Sequence, residues 1–176
     1  EVFFNDKKDL IPKIEETEAK IDQLHKAVKA YAEDIMQAGI SDDAARVLTL
    51  YVASSGNIER IGDYGKKLLE YYAYRQNRPK DFSQQAMTEL SGMYAEAHHA
   101  IVTALDGFIN DDPDKAREVA PIAGKLRGLE VELRNRHIQR LDKQECDSET
   151  GLVYVDILGI IEHIGYHSNN VAKATK

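Results

Sequence analysis

The strongest constraint on the fold is a short pattern that occurs twice in the sequence. The pattern Ile-Glu-x-Ile-Gly is found at Ile58–Gly62 and again at Ile161–Gly165. Each copy lies late in a long stretch of helical periodicity, and an internal repeat limits the possible architectures more than a single motif does. The two copies therefore predict a chain built from two related halves, about 1–79 and 80–176.

The size and composition of the chain exclude several classes of protein. With 176 residues, it can form one domain over 1–176 with a sizeable core. Its formal net charge of -7 argues against nucleic acid as a partner, since nonspecific binding needs clustered Lys and Arg. The single cysteine, Cys146, excludes an internal disulfide and a multi-cysteine metal site. No uncharged apolar run approaches the ~20 residues that span a bilayer.

Apolar residues recur with a period of 3.6 through most of the sequence, which predicts an all-α fold. Short connections between long helices favour an antiparallel bundle. We expect the fourth helix to be kinked or shortened at Pro121. The five predicted helices cover about 10–38, 42–74, 83–109, 113–143 and 151–176.

The repeat also relates these five helices to one another. The first matches the fourth and the second matches the fifth, so the third opens the second half and has no counterpart in the first. We therefore expect a missing helix ahead of Glu1, and the lack of an initiator Met fits a piece of a longer polypeptide. Without that helix, apolar surface would be exposed, which predicts a homodimer or a partner contact there.

Two carboxylates in the first copy are candidates for binding chemistry. Glu59 and Asp63 are four residues apart and lie on one face of the helix. Carboxylates at this spacing repel each other unless nearby basic side chains or a metal ion, divalent or iron-type, joins them. An ordinary solvated face with ion pairs is the simpler alternative. In the second copy the pair is lost, because only Glu162 remains and Tyr166 replaces the aspartate.

The last helix carries a second group of candidate metal ligands. Asp156, His163 and His167 fall on one side of it, and two histidines at i and i+4 can chelate one metal ion. A polar seam between helices is the alternative, because a metal site usually needs a third and fourth protein ligand.

Two further pairs raise a rival interpretation. Glu96-x-x-His99 and Asp22-x-x-His25 partly match the Glu-x-x-His pattern of di-iron helical bundles. They keep open a ferritin- or hemerythrin-like metal-binding bundle. A purely structural helical interaction module is a third possibility.

Residues 58–63, Ile-Glu-Arg-Ile-Gly-Asp, closely match the Glu-Arg-Ile-Gly-Asp signature of PhoU-type phosphate-uptake regulators. The segment Glu18-x-x-Ile21-Asp22-x-Leu24 resembles the pattern of the second helix in that family. The third predicted helix, with Asp111-Asp112 after it, resembles the fourth helix and its turn. The resemblance covers nearly all of the chain, although the second signature is degraded.

The resemblance implies a fold of two three-helix repeats, with the first helix missing here. It implies a non-enzymatic domain that regulates phosphate uptake, similar to the domain appended to bacterial sodium/phosphate cotransporters. Its partner would then be a membrane phosphate transporter domain, in the same polypeptide, at the cytoplasmic face of the inner membrane. Members of the family bind metal clusters through Glu-x-x-x-Asp motifs. That role would fall on Glu59 and Asp63, with Glu18 or Asp22 from the first helix.

Overall fold

The computed structural model describes residues 2–77, 81–146 and 148–175, and all regular structure in these ranges is helical. The all-α class is therefore confirmed. A short 3₁₀ turn at Lys8–Leu10 precedes the first long helix. The six α-helices are α1 (Val2–Asn5), α2 (Ile11–Gln37), α3 (Asp42–Gln76), α4 (Gln84–Asn110), α5 (Pro113–Asp142) and α6 (Ser148–Ala172).

Side-chain caps explain where three of the long helices begin. The hydroxyl of Ser41 accepts a hydrogen bond from the backbone N–H of Ala44 at the start of α3. Ser83 caps α4 in the same way, and a carboxylate oxygen of Asp112 accepts two backbone N–H groups at the start of α5. Each cap satisfies donors that the first helical turn leaves unpaired.

Of the two predicted effects of Pro121, the shortening of α5 is not observed. The helix runs unbroken from Pro113 to Asp142. Pro121 removes one backbone donor, and the carbonyl of Arg117 loses its intrahelical partner. Both residues are exposed, so water can satisfy that carbonyl.

The helix α6 lies at the centre of the molecule and contacts α3, α4 and α5. The helices α4, α5 and α6 form a three-helix unit in which each contacts the other two, while α2 packs along α3. The helices α2 and α3 form a hairpin, and α3 connects this hairpin to α6. The helix α3 runs antiparallel to α6, since Asn57 faces His167 and Tyr71 faces Asp156. The fully or nearly buried apolar residues of α6 include Val153, Tyr154, Ile157, Leu158, Ile160, Ile161, Ile164 and Val171.

The two copies of the glycine pattern occupy corresponding places in the two halves. A Cβ atom on Gly62 of α3 would meet the Ile21 side chain of α2 at 3.5 Å. A Cβ atom on Gly165 of α6 would overlap the Leu126 side chain of α5. The α2–α3 hairpin therefore corresponds to the α5–α6 hairpin, with Ile21 matching Leu126.

A further repeat, not used in the sequence analysis, identifies α1. Residues 3–6, Phe-Phe-Asn-Asp, match residues 108–111, Phe-Ile-Asn-Asp, which form the end of α4. The aspartate has a left-handed backbone conformation in both copies, with φ of 55° at Asp6 and 49° at Asp111. Aspartate is among the few non-glycine residues that enter this region readily. The short helix α1 thus corresponds to the last turn of α4.

Among the described residues, no helix combines the length and apolar character needed to cross a membrane.

Candidate functional site

The first Ile-Glu-x-Ile-Gly copy places its carboxylates where α3 meets α2. Glu59 and Asp63 of α3 lie on the same side of the hairpin as Glu18 and Asp22 of α2. We call this set of four carboxylates, with Lys26, Arg60 and Lys66, the signature face. The helices approach closely because glycines line α3, so that the ring of His25 lies 3.4 Å from the Cβ position of Gly56.

Basic side chains balance the carboxylates of the signature face. The ammonium of Lys66 donates to Glu18 across the hairpin at 3.0 Å, and that of Lys26 donates to Asp22 at 2.7 Å. The hydrogen bond with Glu18 raises the pKa of Lys66 above its ordinary value. The guanidinium of Arg60 lies 3.8 Å from Glu59 and 3.6 Å from Asp63.

A metal ion at these carboxylates would compete with their ion pairs. In the residues that the structure describes, no group of three or more His, Cys, Asp or Glu side chains could hold one. The carboxylates share one face, as the sequence predicts, but Lys26, Arg60 and Lys66 take the place that a cation would occupy. Of the two alternatives for Glu59 and Asp63, the observed geometry is that of ion pairs.

The second copy has a different face. Because Ile21 corresponds to Leu126, the residues that follow them, Asp22 and Arg127, correspond as well. Arg127 of α5 therefore occupies the position that Asp22 has in the first half. Its guanidinium lies 3.8 Å from Glu162. Tyr166 is exposed in place of Asp63. Only one carboxylate of the four therefore has a counterpart here, and an arginine balances it.

The histidines of α6 belong to the seam between α3 and α6. His163 and His167 both pack against the ring of Tyr64, with ring centroids 5.6 Å and 5.8 Å away. The Nδ1 atom of His167 forms a 2.8 Å hydrogen bond with the amide oxygen of Asn57. Burial lowers the pKa of His167, and the positive charges of His163 and Arg60 add to this effect.

Asp156 joins the same seam at a separate point. Its carboxylate accepts a hydrogen bond from the Tyr71 hydroxyl at 3.0 Å. Burial and this hydrogen bond raise the pKa of Tyr71 to about 12. Asp156, His163 and His167 thus all lie along the polar seam between α3 and α6, and metal binding by them stays a prediction.

Comparison with known proteins identifies the family of the chain. The family model described as the PhoU domain matches residues 1–72 and 90–175, which is most of the chain. The chain belongs to the PhoU domain family. It is similar to the "Phosphate-specific transport system accessory protein PhoU homolog 1" of Thermotoga maritima. The two are 24% identical over 166 residues, which cover 93% of this chain and 70% of the relative.

The residues that suggested a di-iron helical bundle lie in separate surroundings in this PhoU domain. Glu96 accepts a hydrogen bond from Lys125 of α5 at 2.6 Å, and His99 is exposed. The Nδ1 atom of His25 forms a 2.9 Å hydrogen bond with the Ser55 hydroxyl. The structure therefore does not bring the two pairs together.

A buried ionic cluster was missed by the sequence analysis. The carboxylate of Glu89 on α4 accepts two hydrogen bonds from Arg140 on α5, at 3.0 Å and 2.9 Å, and one from the Tyr154 hydroxyl on α6 at 2.6 Å. These residues are far apart in sequence and match no motif. They join the three helices of the second half beside a cavity of about 480 Å³.

Next to this cluster, His137 is buried. Its Nε2 atom has no hydrogen-bond partner among the described residues and faces Gly151, where no side chain would fit. Burial and the positive charge of Arg140 lower the pKa of His137. Its Nδ1 atom lies 3.9 Å from the sulfur of Cys146.

Proposed function

We propose that this PhoU domain is a non-enzymatic regulator of phosphate transport, and that the signature face is its working surface. The observation that supports this is the network of alternating charges on α2 and α3, with half-buried carboxylates and exposed basic side chains, in a chain whose relative is named as an accessory protein of phosphate-specific transport. A protein partner with complementary charge fits such a surface.

The energetics of the network suit a reversible contact. Exposed ion pairs contribute only about 0–1 kcal/mol each to stability, so they can be exchanged for pairs with a partner at low cost. Glu18 and Glu59 are the most shielded members, with 15% and 20% of their side chains exposed, whereas Arg60 is 62% exposed. A partner carboxylate could therefore reach Arg60 while the pair of Lys66 with Glu18 continues to join α3 to α2.

We further propose that the partner is a sodium-dependent phosphate transporter domain in the same polypeptide, at the cytoplasmic face of the bacterial inner membrane. A tether would make the contact intramolecular, and effective concentrations in the millimolar range compensate for a weak and polar interface. The support for this is the resemblance of the signature, Ile58–Asp63, and the polar nature of the face.

The test is phosphate uptake by cells that produce the full-length protein with the charge of the signature face reversed. We expect Glu59→Lys with Asp63→Lys to change the uptake rate by at least about fivefold, the usual lower range for coupling between sites. The matched control is Asp114→Lys with Glu118→Lys. These residues are also four apart on an exposed helix face, and Asp114 pairs with an arginine three residues on.

The control and the wild type should transport phosphate alike, and all three proteins should have similar helical content by circular dichroism. Equal uptake in the wild type and in the Glu59→Lys, Asp63→Lys variant would contradict the proposal. It would favour a purely structural helical module instead.

Metal binding by Glu59 and Asp63 stays a prediction, and the same variants test it. A metal ion would have to displace Arg60 and Lys66, so we expect Mn²⁺ to bind the wild type no more tightly than about 0.1 to 1 mM, as at weak carboxylate sites. Isothermal titration calorimetry measures this. A much tighter Kd that disappears on charge reversal would show that a metal is bound at this face.

A further inference from the structure

The helix α6 has an uncovered side, which forms the floor of a groove between α3 and α5. Two cavities of about 390 and 170 Å³ follow each other along it. The larger lies between Tyr64 and Tyr71 of α3 and Arg134 of α5, and the smaller lies between α5 and α6. Together they extend along α6 from Val155 to Asn169, which is about 21 Å or four helical turns. We call this surface the α6 groove.

The floor of the α6 groove has room for side chains from another molecule. A Cβ atom on Gly159 of α6 or on Gly124 of α5 would meet nothing within 4 Å. Ala120 and Ala123 add two further small residues to the smaller cavity. Rows of small residues between larger ones form the grooves into which the side chains of a second helix pack. This shape therefore suits a helix, about 10 Å wide, better than the flat surface of a lipid bilayer.

The walls of the α6 groove carry positive charge at their rims. Arg127 of α5 is 74% exposed, whereas its partner Glu162 is only 17% exposed. Arg134 is 45% exposed, whereas its partner Glu130 is only 14% exposed. Lys67 on the opposite wall is exposed and forms no ion pair with any residue that the structure describes. The cations therefore lie outermost, with the carboxylates beneath them.

Two ion pairs on other parts of the surface show the contrast. The side chains of Arg46 and Asp43 are 77% and 88% exposed, and those of Lys20 and Glu16 are 64% and 65% exposed. In these pairs both charges are equally accessible, so they cancel for an approaching molecule. At the α6 groove an approaching molecule meets the cations first, although the net charge of the whole chain is -7. The rims of the groove therefore favour an occupant with negative charge.

Apolar side chains alternate with these charges. Val131 and Ile138 lie three residues before and four residues after Arg134, so they share its face of α5, and both are about half exposed. Leu152 of α6 is exposed and lies four residues before Asp156, at the end of the floor. The carboxylate of Asp156 already accepts a hydrogen bond from a tyrosine of α3. A complementary occupant thus presents carboxylates to the rims and apolar side chains to the α5 wall.

We propose that the α6 groove is the docking site of an acidic amphipathic helix of a partner protein. The helix is about four turns long, and its Asp or Glu side chains pair with Lys67, Arg127 and Arg134. Its apolar side chains pack against Val131 and Ile138. This inference does not rest on the proposed function, because no residue of the α6 groove belongs to the signature face.

A synthetic peptide of about 15 residues tests this, with Glu and Leu at helical spacing on one side and Ala on the other. It carries fluorescein, and its binding to the protein is measured by fluorescence anisotropy. We expect saturable binding with a Kd below about 0.5 mM, the affinity of a weak and transient contact. The same peptide with Lys in place of every Glu should not bind.

Two variants locate the peptide in the α6 groove. Lys67→Glu with Arg134→Glu should raise the Kd at least about tenfold, because like charges then face each other. Gly159→Leu should do the same by filling the larger cavity, and the fold tolerates it because the Cβ position is open and leucine is the better helix former.

The matched control is Lys20→Glu with Arg46→Glu, which changes the net charge by the same amount outside the groove and should leave the Kd within about twofold of the wild type. Circular dichroism checks that all variants are folded. No saturable binding of the acidic peptide, or equal binding of the basic one, would overturn the proposal. So would an unchanged Kd in Gly159→Leu.

Vesicles of phosphatidylglycerol and phosphatidylcholine test the other anionic occupant. Sedimentation of the wild type with these vesicles, lost in the Lys67→Glu, Arg134→Glu variant but kept in Gly159→Leu, would identify a lipid surface and overturn the proposal. We expect no sedimentation, because a flat bilayer reaches only the rims of the groove.

Discussion

At the scale of single residues, Glu89 shows how burial and hydrogen bonding compete. Burial disfavours its charged form, but the hydrogen bonds from Arg140 and Tyr154 outweigh this and lower the pKa of the carboxyl below its ordinary value. Only 9% of the Glu89 side chain and 12% of the Arg140 side chain are exposed. A buried pair of this kind is costly to break, because one charge is left without a partner.

We therefore expect Glu89→Ala to lower the free energy of unfolding by about 3 kcal/mol. Replacing both partners, Glu89→Met with Arg140→Met, should cost less than the single change, since no charge is then left buried. Urea denaturation measures both. The exposed pair of Glu16 with Lys20 provides the control, and Glu16→Ala should change stability by less than about 1 kcal/mol.

A loss below about 1 kcal/mol for Glu89→Ala would show that Arg140 finds another partner or reaches water. Arg136 lies 3.9 Å from Glu89 as well, but it is half exposed and does not need the carboxylate.

At the scale of helices, the repeated glycine has a different steric role in each half. On Gly62, a Cβ atom would make an ordinary contact with Ile21 at 3.5 Å. On Gly165, it would overlap Leu126, which is fully buried and has little room to move. The α5–α6 contact is therefore the closer of the two and requires the glycine.

The two positions form a matched pair for mutation. Gly165→Ala should destabilise the domain by about 1–3 kcal/mol through overpacking. Gly62→Ala should be neutral or stabilise by up to about 1 kcal/mol, because alanine is the better helix former and the space exists. Urea denaturation of both variants is the measurement. The reverse order of stability would show that the α5–α6 contact adjusts more easily than the α2–α3 contact.

At the scale of the whole molecule, two half-buried or buried histidines link stability to pH. The pKa values of His137 and His167 are lowered, in both cases mainly by burial. In the unfolded chain a histidine titrates near pH 6.5, so between that pH and the lower folded pKa the unfolded chain binds more protons. The stabilisation is complete above about pH 6.5 and is lost as the pH falls through the folded pKa values.

We expect the free energy of unfolding to decrease from pH 7 to pH 5, by up to about 1.4 kcal/mol per pH unit for each histidine. The variant His137→Phe keeps a ring in the cavity but cannot bind a proton, so its stability should depend less on pH. Denaturation curves at several pH values test this, with exposed His99→Gln as the control. A pH dependence as steep in His137→Phe as in the wild type would contradict the expectation.

The sequence by itself determined the helices and the chemistry that each helix carries. Hydrophobic periodicity acts over one or two turns, so helices can be read locally. The spacing of Glu59 and Asp63 placed both carboxylates on one face for the same reason. The repeated pattern further indicated two related halves. The continuation of α5 through Pro121 was not predicted, because it depends on exposure, which a local pattern does not contain.

Only the tertiary structure decided which side chains meet. Lys66 reaches Glu18 from another helix, and Arg127 of α5 lies near Glu162 of α6, so part of the charge balance on each face comes from pairs that no spacing rule connects. The histidines of α6 pair with α3 because α6 is central, an arrangement set by burial of apolar area over the whole chain. Local rules fix helices, whereas contacts between helices depend on how all of them share one core.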